Sequence, residues 1–164
     1  MSEGQWAPGI EGVFSLVGLI EKSFHRHSVD QLDALLDPDL VVHGPVSMEQ
    51  GAAGFKRSLA MTREAFPDME INIEAGAAHE GLVFRRWSMS GTHTGTFLGI
   101  APTGHKVVLS GVDVERLVGG RIVEHWTYWD RMSMAEQLGI ASLPEMPGPA
   151  GNANGGGAAQ PAGS

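Results

Sequence analysis

The sequence predicts an α+β domain, with helices leading and a run of antiparallel strands following. Three observations carry this. Apolar residues recur at helical spacing through the first third of the chain. Alternation of apolar and polar residues replaces that spacing from Met69 onward. Gly119-Gly120 then joins two strand-like runs as a two-residue hairpin turn. Helices followed by hairpin-linked strands are the α+β order.

Taken in order, Pro8 to His27 reads as a helix, with Ile10, Val13, Phe14, Val17, Ile20 and Phe24 on one face. Ser28 is placed to cap a second short helix, and Gln31 completes a capping box. Leu32, Leu35 and Leu36 form its apolar face, and Pro38 ends it. Asp39 to His43 is a short strand stopped by Gly44-Pro45. A third helix is expected from Ala52 to Phe66, with Phe55, Leu59 and Phe66 inward, ending before Pro67.

Met69, Ile71, Ile73 and Ala75 alternate with Glu70, Asn72 and Glu74, the pattern of a half-buried strand. Glu80-Gly81 is a turn, and Leu82 to Thr94 the next strand. Thr96 to His105 is a loop, Val107 to Val118 and Arg121 to Asp130 are the hairpin strands, and Met132 to Leu138 is a closing helix. Residues 1–8 are expected to be a flexible start and 9–143 the domain. Residues 144–164, rich in Gly, Pro and Ala, carry too little apolar bulk to offset the entropy of ordering and are expected to be disordered.

Composition narrows the function classes. The 164 residues suit one domain, and 42% hydrophobic with 18% charged is a globular balance. A net charge of −8, with Lys56-Arg57 and Arg85-Arg86 only isolated basic pairs, argues against nucleic acid or an anionic membrane as partner. Without cysteine there is no disulfide framework and no thiolate metal site. Seven histidines show no ligand-spaced pair, so no metal is expected. Met1 to Gly9 is polar, and the longest apolar run, Gly12 to Ile20, is too short to span a bilayer. The expectation is a cytoplasmic protein.

One stretch says more than the rest. Gly91-Thr92-His93-Thr94-Gly95-Thr96-Phe97 is followed by Pro102-Thr103-Gly104, and then by Arg121-Ile122-Val123-Glu124-His125-Trp126-Thr127-Tyr128-Trp129-Asp130. Ala65-Phe66-Pro67-Asp68 precedes this series and Gln137-Leu138-Gly139 follows it. Over about residues 10–140 the series resembles the SnoaL-like polyketide cyclases of the NTF2-like superfamily. That resemblance implies a curved, mostly antiparallel sheet wrapped as a cone around helices and enclosing a cavity. It also implies a homodimer or homotetramer.

The hairpin supplies a geometric expectation for the site. With Gly119-Gly120 as the loop, Asp113 lies opposite Trp126, and Asp113, Glu124, Trp126, Tyr128 and Asp130 share a face. Val112, Val114, Arg116, Val123, His125, Thr127 and Trp129 share the other, which is apolar enough to be a subunit interface. Carboxylates among aromatics suit a small-molecule cavity. Asp113 and Asp130 are the acid/base candidates, since an aromatic neighbour desolvates a carboxyl and tunes it for proton transfer. Asp130 is equally placed to be the N-cap of the closing helix. His43 and His93 are further catalytic candidates as proton carriers near neutral pH, although a lone histidine is as readily a structural hydrogen-bonding residue. Trp126, Tyr128, Trp87, Met89 and Phe97 are the candidate substrate-binding side chains, and Met48, Met61, Met69 and Met89 suit an adaptable apolar wall or core. The facing of His93 depends on the Glu80-Gly81 turn. The residues Val83, Trp87 and Met89 put its side inward, whereas a regular hairpin would put the inward Ile71 and Ile73 on the opposite side.

The resemblance extends to relatives with other chemistries. Asp113 and Arg116 have the spacing of an enolate-binding aspartate and its following arginine in steroid isomerases of the superfamily. Asp130 resembles the water-activating aspartate of its epoxide hydrolases. Those enzymes also need an Arg-x-Asp pair, where this chain has Arg86-Trp87-Ser88. The implied function is cofactor-independent ring closure, of intramolecular aldol type, on a polyketide-like small molecule in antibiotic or other natural-product biosynthesis. Hydroxylation, isomerisation, epoxide-opening cyclisation, or non-catalytic small-molecule binding on the same scaffold remain alternatives.

Overall fold

The computed structural model describes residues 29–45 and 48–143. The expected first helix, the Ser28–Gln31 capping box and the expected tail from Pro144 lie outside the described residues. A short 3-10 helix, Val29–Ala34, leads into strand β1, Leu36–His43. Helix α1 spans Gly51–Ala65, one residue from the expected bounds at each end. Strands β2 (Glu70–His79), β3 (Leu82–Thr92), β4 (Lys106–Val118) and β5 (Arg121–Trp129) follow, and helix α2, Arg131–Leu138, comes last. The five strands form one sheet in the order β1-β5-β4-β3-β2. All pairings are antiparallel except β1 with β5. This is the α+β architecture that the sequence predicts.

Pro38 does not end a helix. Leu36 already belongs to β1, and the pairing with β5 is irregular between Leu36 and Val41. A proline is tolerated there because β1 is an edge strand, and the irregular stretch asks for no ladder donor. At the β4–β5 turn Gly119 and Gly120 have φ of 57° and 81°, the left-handed pair that the tightest hairpin requires.

Two bulges decide what faces inward. Val118 pairs with Arg121 and Leu117 with Ile122, as a regular hairpin demands, but Arg116 then pairs with Glu124. Val123 is the extra residue, and every later β5 side chain changes face. In β2, Ile73 pairs with Trp87 while Ala75 pairs with Arg86, so Glu74 is extra there. That bulge reconciles the inward Ile71 and Ile73 with the inward Trp87 and Met89, and His93 is completely buried.

Packing is divided. Phe66, Met89, Phe97, Val107, Leu109, Met134 and Leu138 belong to one buried cluster. Leu32, Leu36, Leu40, Val42 and Ile122 form a second. The space between the clusters is the site.

Candidate functional site

A cavity of about 190 Å³ lies between α1 and the inner face of the sheet, with walls drawn from both clusters. Apolar atoms dominate its lining, and Met48, Met61, Met69 and Met89 all contribute, as adaptable wall rather than sealed core. The charged groups and His125 come from three adjacent strands, while α1 adds Ser58 and Thr62. Arg85 on β3, Asp113 and Glu115 on β4, and His125 and Thr127 on β5 all reach the cavity.

Strand register brings these side chains together. Asp113 pairs with Arg85 on one side and Thr127 on the other, and Glu115 pairs with His125. Arg85 Nη2 donates to Asp113 Oδ2 at 3.1 Å, and Nε donates to Glu115 Oε2 at 3.3 Å. Arg85 Nη2 also donates to Glu115 Oε1. His125 Nδ1 stands 3.4 Å from that same Oε1, and the edge of Phe55 packs on the imidazole at 5.0 Å between centroids. Arg85 and Glu115 are only 3% and 1% exposed, so these charges depend on one another for solvation. Burial pushes the Glu115 carboxyl up. The charge of Arg85 and the hydrogen bonds from His125 and Arg85 outweigh burial and hold it below the usual carboxylate range.

Two polar atoms in this wall have no hydrogen-bond partner: Asp113 Oδ1 and Trp87 Nε1. Buried polar atoms are nearly always satisfied, so an acceptor and a donor left open beside a cavity mark where a ligand's polar atoms would sit. Asp113 thus has one oxygen on the Arg85 guanidinium and one, Oδ1, without a hydrogen-bond partner.

The expected site residues divide. Asp113, Trp87, Met89 and Phe97 line the cavity. Trp126 and Tyr128 do not, because the Val123 bulge turns them to the outer face, where Tyr128 is 60% exposed. Thr127, Trp129 and His125, expected on the outer face, are cavity residues for the same reason. Arg116 also points outward, so Asp113 takes Arg85 as its arginine and not the residue three positions on. His43 stacks on Trp126 at 5.3 Å on the outer face and bonds Glu124 at 2.9 Å. The hydrogen bond from His43, opposed by slight desolvation and helped by Arg116, holds the Glu124 carboxyl below its usual range. Asp130 caps α2, with Oδ1 accepting from the backbone N–H of Met132 at 2.9 Å and of Ser133 at 3.0 Å.

The motif around His93 is a structural knot. The Asp68 carboxylate accepts from both the backbone N–H and the hydroxyl of Thr92, each at 2.7 Å. Those two bonds hold the Asp68 carboxyl below its ordinary range. Thr94 and Gly95 donate to the Ala65 carbonyl and so cap the end of α1. A Cβ on Gly95 would stand 2.2 Å from the Glu64 oxygen, so only glycine allows that approach. The His93 ring lies against Phe66 and Phe97, and its Nδ1 meets the Thr103 hydroxyl at 3.1 Å. Burial pushes its pKa down, against a smaller upward pull from the Gly95 carbonyl, and keeps the ring neutral. Gln137 grips both backbone groups of Val108, at 2.7 and 2.9 Å, and docks α2 on β4. Thus the motif fixes Phe66 and Phe97, which wall the cavity, and His93 itself stands behind them.

Arg85, Glu115 and His125 were not singled out from the sequence as site residues. One signal for the first two was present: charges within apolar alternation, in Val83-Phe84-Arg85 and Val112-Asp113-Val114-Glu115, are poorly explained by packing.

Solved structures share this fold. TsrD from Streptomyces laurentii superposes with a TM-score of 0.72 at 21% identity, over 78% of this chain and 95% of that one. AclR from Streptomyces galilaeus, described as a candidate hydroxylase, gives 0.67 at 27% identity, over 77% and 94%. IdmH from Streptomyces antibioticus, described as a candidate polyketide cyclase, gives 0.66 at 30% identity, over 79% and 99%. No curated protein matches the sequence. The family model of the SnoaL-like polyketide cyclases matches residues 15–138, spanning the cavity walls, the polar cluster and the knot around His93, and the chain belongs to that family.

Proposed function

We propose that this protein closes a ring in a polyketide-like intermediate by a cofactor-independent intramolecular aldol reaction, with Asp113 as the base. The observation that carries this reading is the unpartnered Oδ1 of a carboxylate that lines a mostly apolar cavity. Asp113 Oδ1 takes a proton from the carbon beside a carbonyl, and the electron pair moves onto the carbonyl oxygen. The enolate carbon attacks a second carbonyl of the same molecule and forms the new bond. The resulting alkoxide recovers the proton from Asp113, so the product is an isomer of the substrate. Arg85 orients the carboxylate through Oδ2, and Glu115 shares the guanidinium, so its full charge does not fall on Asp113. The apolar walls fold the chain into a ring-closing conformation and exclude water.

Hydroxylation is the second reading, supported by the likeness to AclR. The intermediate that accumulates when the gene is deleted separates the two. Added back to purified protein, it should yield a cyclised product of unchanged mass, whereas a gain of one oxygen would favour hydroxylation. Asp113→Asn, with folding verified by circular dichroism, should lower turnover by about 10²–10⁴-fold with little change in KM. A folded variant with near-normal turnover would remove Asp113 from the base role.

The outer sheet face, with Val108, Val112 and Tyr128 exposed, supports a homodimer formed through it.

A further inference from the structure

We propose that the indole N–H of Trp87 is the hydrogen-bond donor that receives the enolate oxygen, and that the cavity selects an enolisable carbonyl through the pair Trp87 Nε1 and Asp113 Oδ1. This rests on the aldol reading and adds to it the residue that stabilises the developing charge. Trp87 Nε1 is buried and has no hydrogen-bond partner, and Trp87 lines the cavity. An indole nitrogen only donates, so its missing partner must be an acceptor. Asp113 Oδ1, also unpartnered, is an acceptor when ionised. A keto group with an acidic C–H neighbour meets both needs: its oxygen faces the indole and its C–H faces the carboxylate. An enol or phenol does the same, accepting from Trp87 and donating to Asp113.

The sheet puts the two groups side by side. Trp87 pairs with Gly111, and Asp113 follows two residues on, on the same face. The ring lies across β4. A Cβ on Gly111 would be 2.3 Å from Trp87 Cζ2 and 2.7 Å from Cε2, the carbon that carries Nε1. Glycine at 111 is what lets the nitrogen edge of the indole lie over the strand that carries Asp113. Proton removal by Oδ1 and charge development on oxygen then fall between two groups in a mostly apolar cavity, where a preorganised donor acts most strongly.

The test compares 2-naphthol, a neutral enol analogue, with naphthalene, which fills the same space without an oxygen. Uniformly ¹⁵N-labelled protein is titrated with each, and the Trp87 indole signal is assigned by its absence in Trp87→Phe. Naphthol should move that proton downfield as a hydrogen bond forms, and naphthalene should not. Trp87→Phe alters the apolar wall for both ligands, so the ratio is what counts: naphthol binding should weaken about three- to tenfold more than naphthalene binding, the size of one hydrogen bond. If Trp87→Phe fails to fold, Trp6→Phe, Trp126→Phe and Trp129→Phe assign the signal by elimination among the four tryptophans, and the wild-type titration decides. An indole shift that is the same for both ligands would overturn the proposal while leaving the cavity as a binding site. Failure of both ligands to bind would remove the cavity reading and the proposal together.

Discussion

Glu115→Gln is the sharpest probe of the buried cluster, because it removes one charge and keeps the shape. Glu115 is 1% exposed and holds Arg85, itself 3% exposed, through both carboxylate oxygens. In the variant Arg85 loses the Glu115 charge and keeps its bond to Asp113, and His125 loses the carboxylate beside its Nδ1. Breaking a buried pair from one side costs about 3–5 kcal/mol, a large share of the roughly 5–15 kcal/mol that holds a domain together. Urea denaturation measures the loss as a fall in midpoint at constant slope. Glu124→Gln is the control: its bonds to His43 and Arg116 lie on the exposed face and should leave the midpoint unchanged. The pH dependence has a definite sign. The folded-state pKa of Glu115 is depressed below its ordinary 4.5. Its contribution is therefore fully present above that value and is lost as pH falls through the lower folded value. The wild type should thus lose stability on acidification below about pH 4.5, and Glu115→Gln should lose less over the same window. Equal midpoints for Glu115→Gln and Glu124→Gln at neutral pH would refute the interdependence of the buried charges.

Three further outcomes are expected. Asp130→Ala should cost about 1 kcal/mol through the lost cap of α2, seen as a lower urea midpoint, and should leave kcat near wild type, since its carboxylate is committed to Met132 and Ser133. Gly95→Ala should be far more damaging, because its methyl would meet the backbone of Glu64 and Ala65 and break the cap of α1; thermal melting would show it, and an unchanged Tm would count against the knot. Light scattering should give a dimer or larger assembly at micromolar concentration, and Val112→Lys on the outer face should shift it to monomer.

What could be read from the sequence, and what could not, follows from one property of strands. Element types and most bounds were legible, since β3 and β4 carry an unbroken period and α1, β5 and α2 are bounded by turn or cap residues. The fold and family were legible because the Gly91–Phe97 motif, Asp68 and Gln137 form a connected set of backbone-gripping bonds, and such bonds demand particular residue types at particular positions. The site was legible only in part. Facing was counted outward from Gly119-Gly120, and a strand has period two, so one unpaired residue reverses every assignment beyond it. Val123 is that residue in β5 and Glu74 in β2, and neither Ile-Val-Glu nor Ile-Glu-Ala marks a bulge in its local sequence. The reversal removed Trp126 and Tyr128 from the cavity and brought in His125, Thr127 and Trp129. Asp113 kept its place because it lies on β4, where the inward series Arg85, Trp87 and Met89 on the neighbouring strand runs in unbroken register with it. The bulge does more than displace a prediction. Without it, regular pairing would put Glu124 opposite Glu115 on the inner face, in the place that His125 takes. The extra residue at 123 therefore brings His125 and Thr127 to the Arg85–Asp113–Glu115 contacts that β3 and β4 already make, which agrees with the tendency of bulges to re-aim side chains.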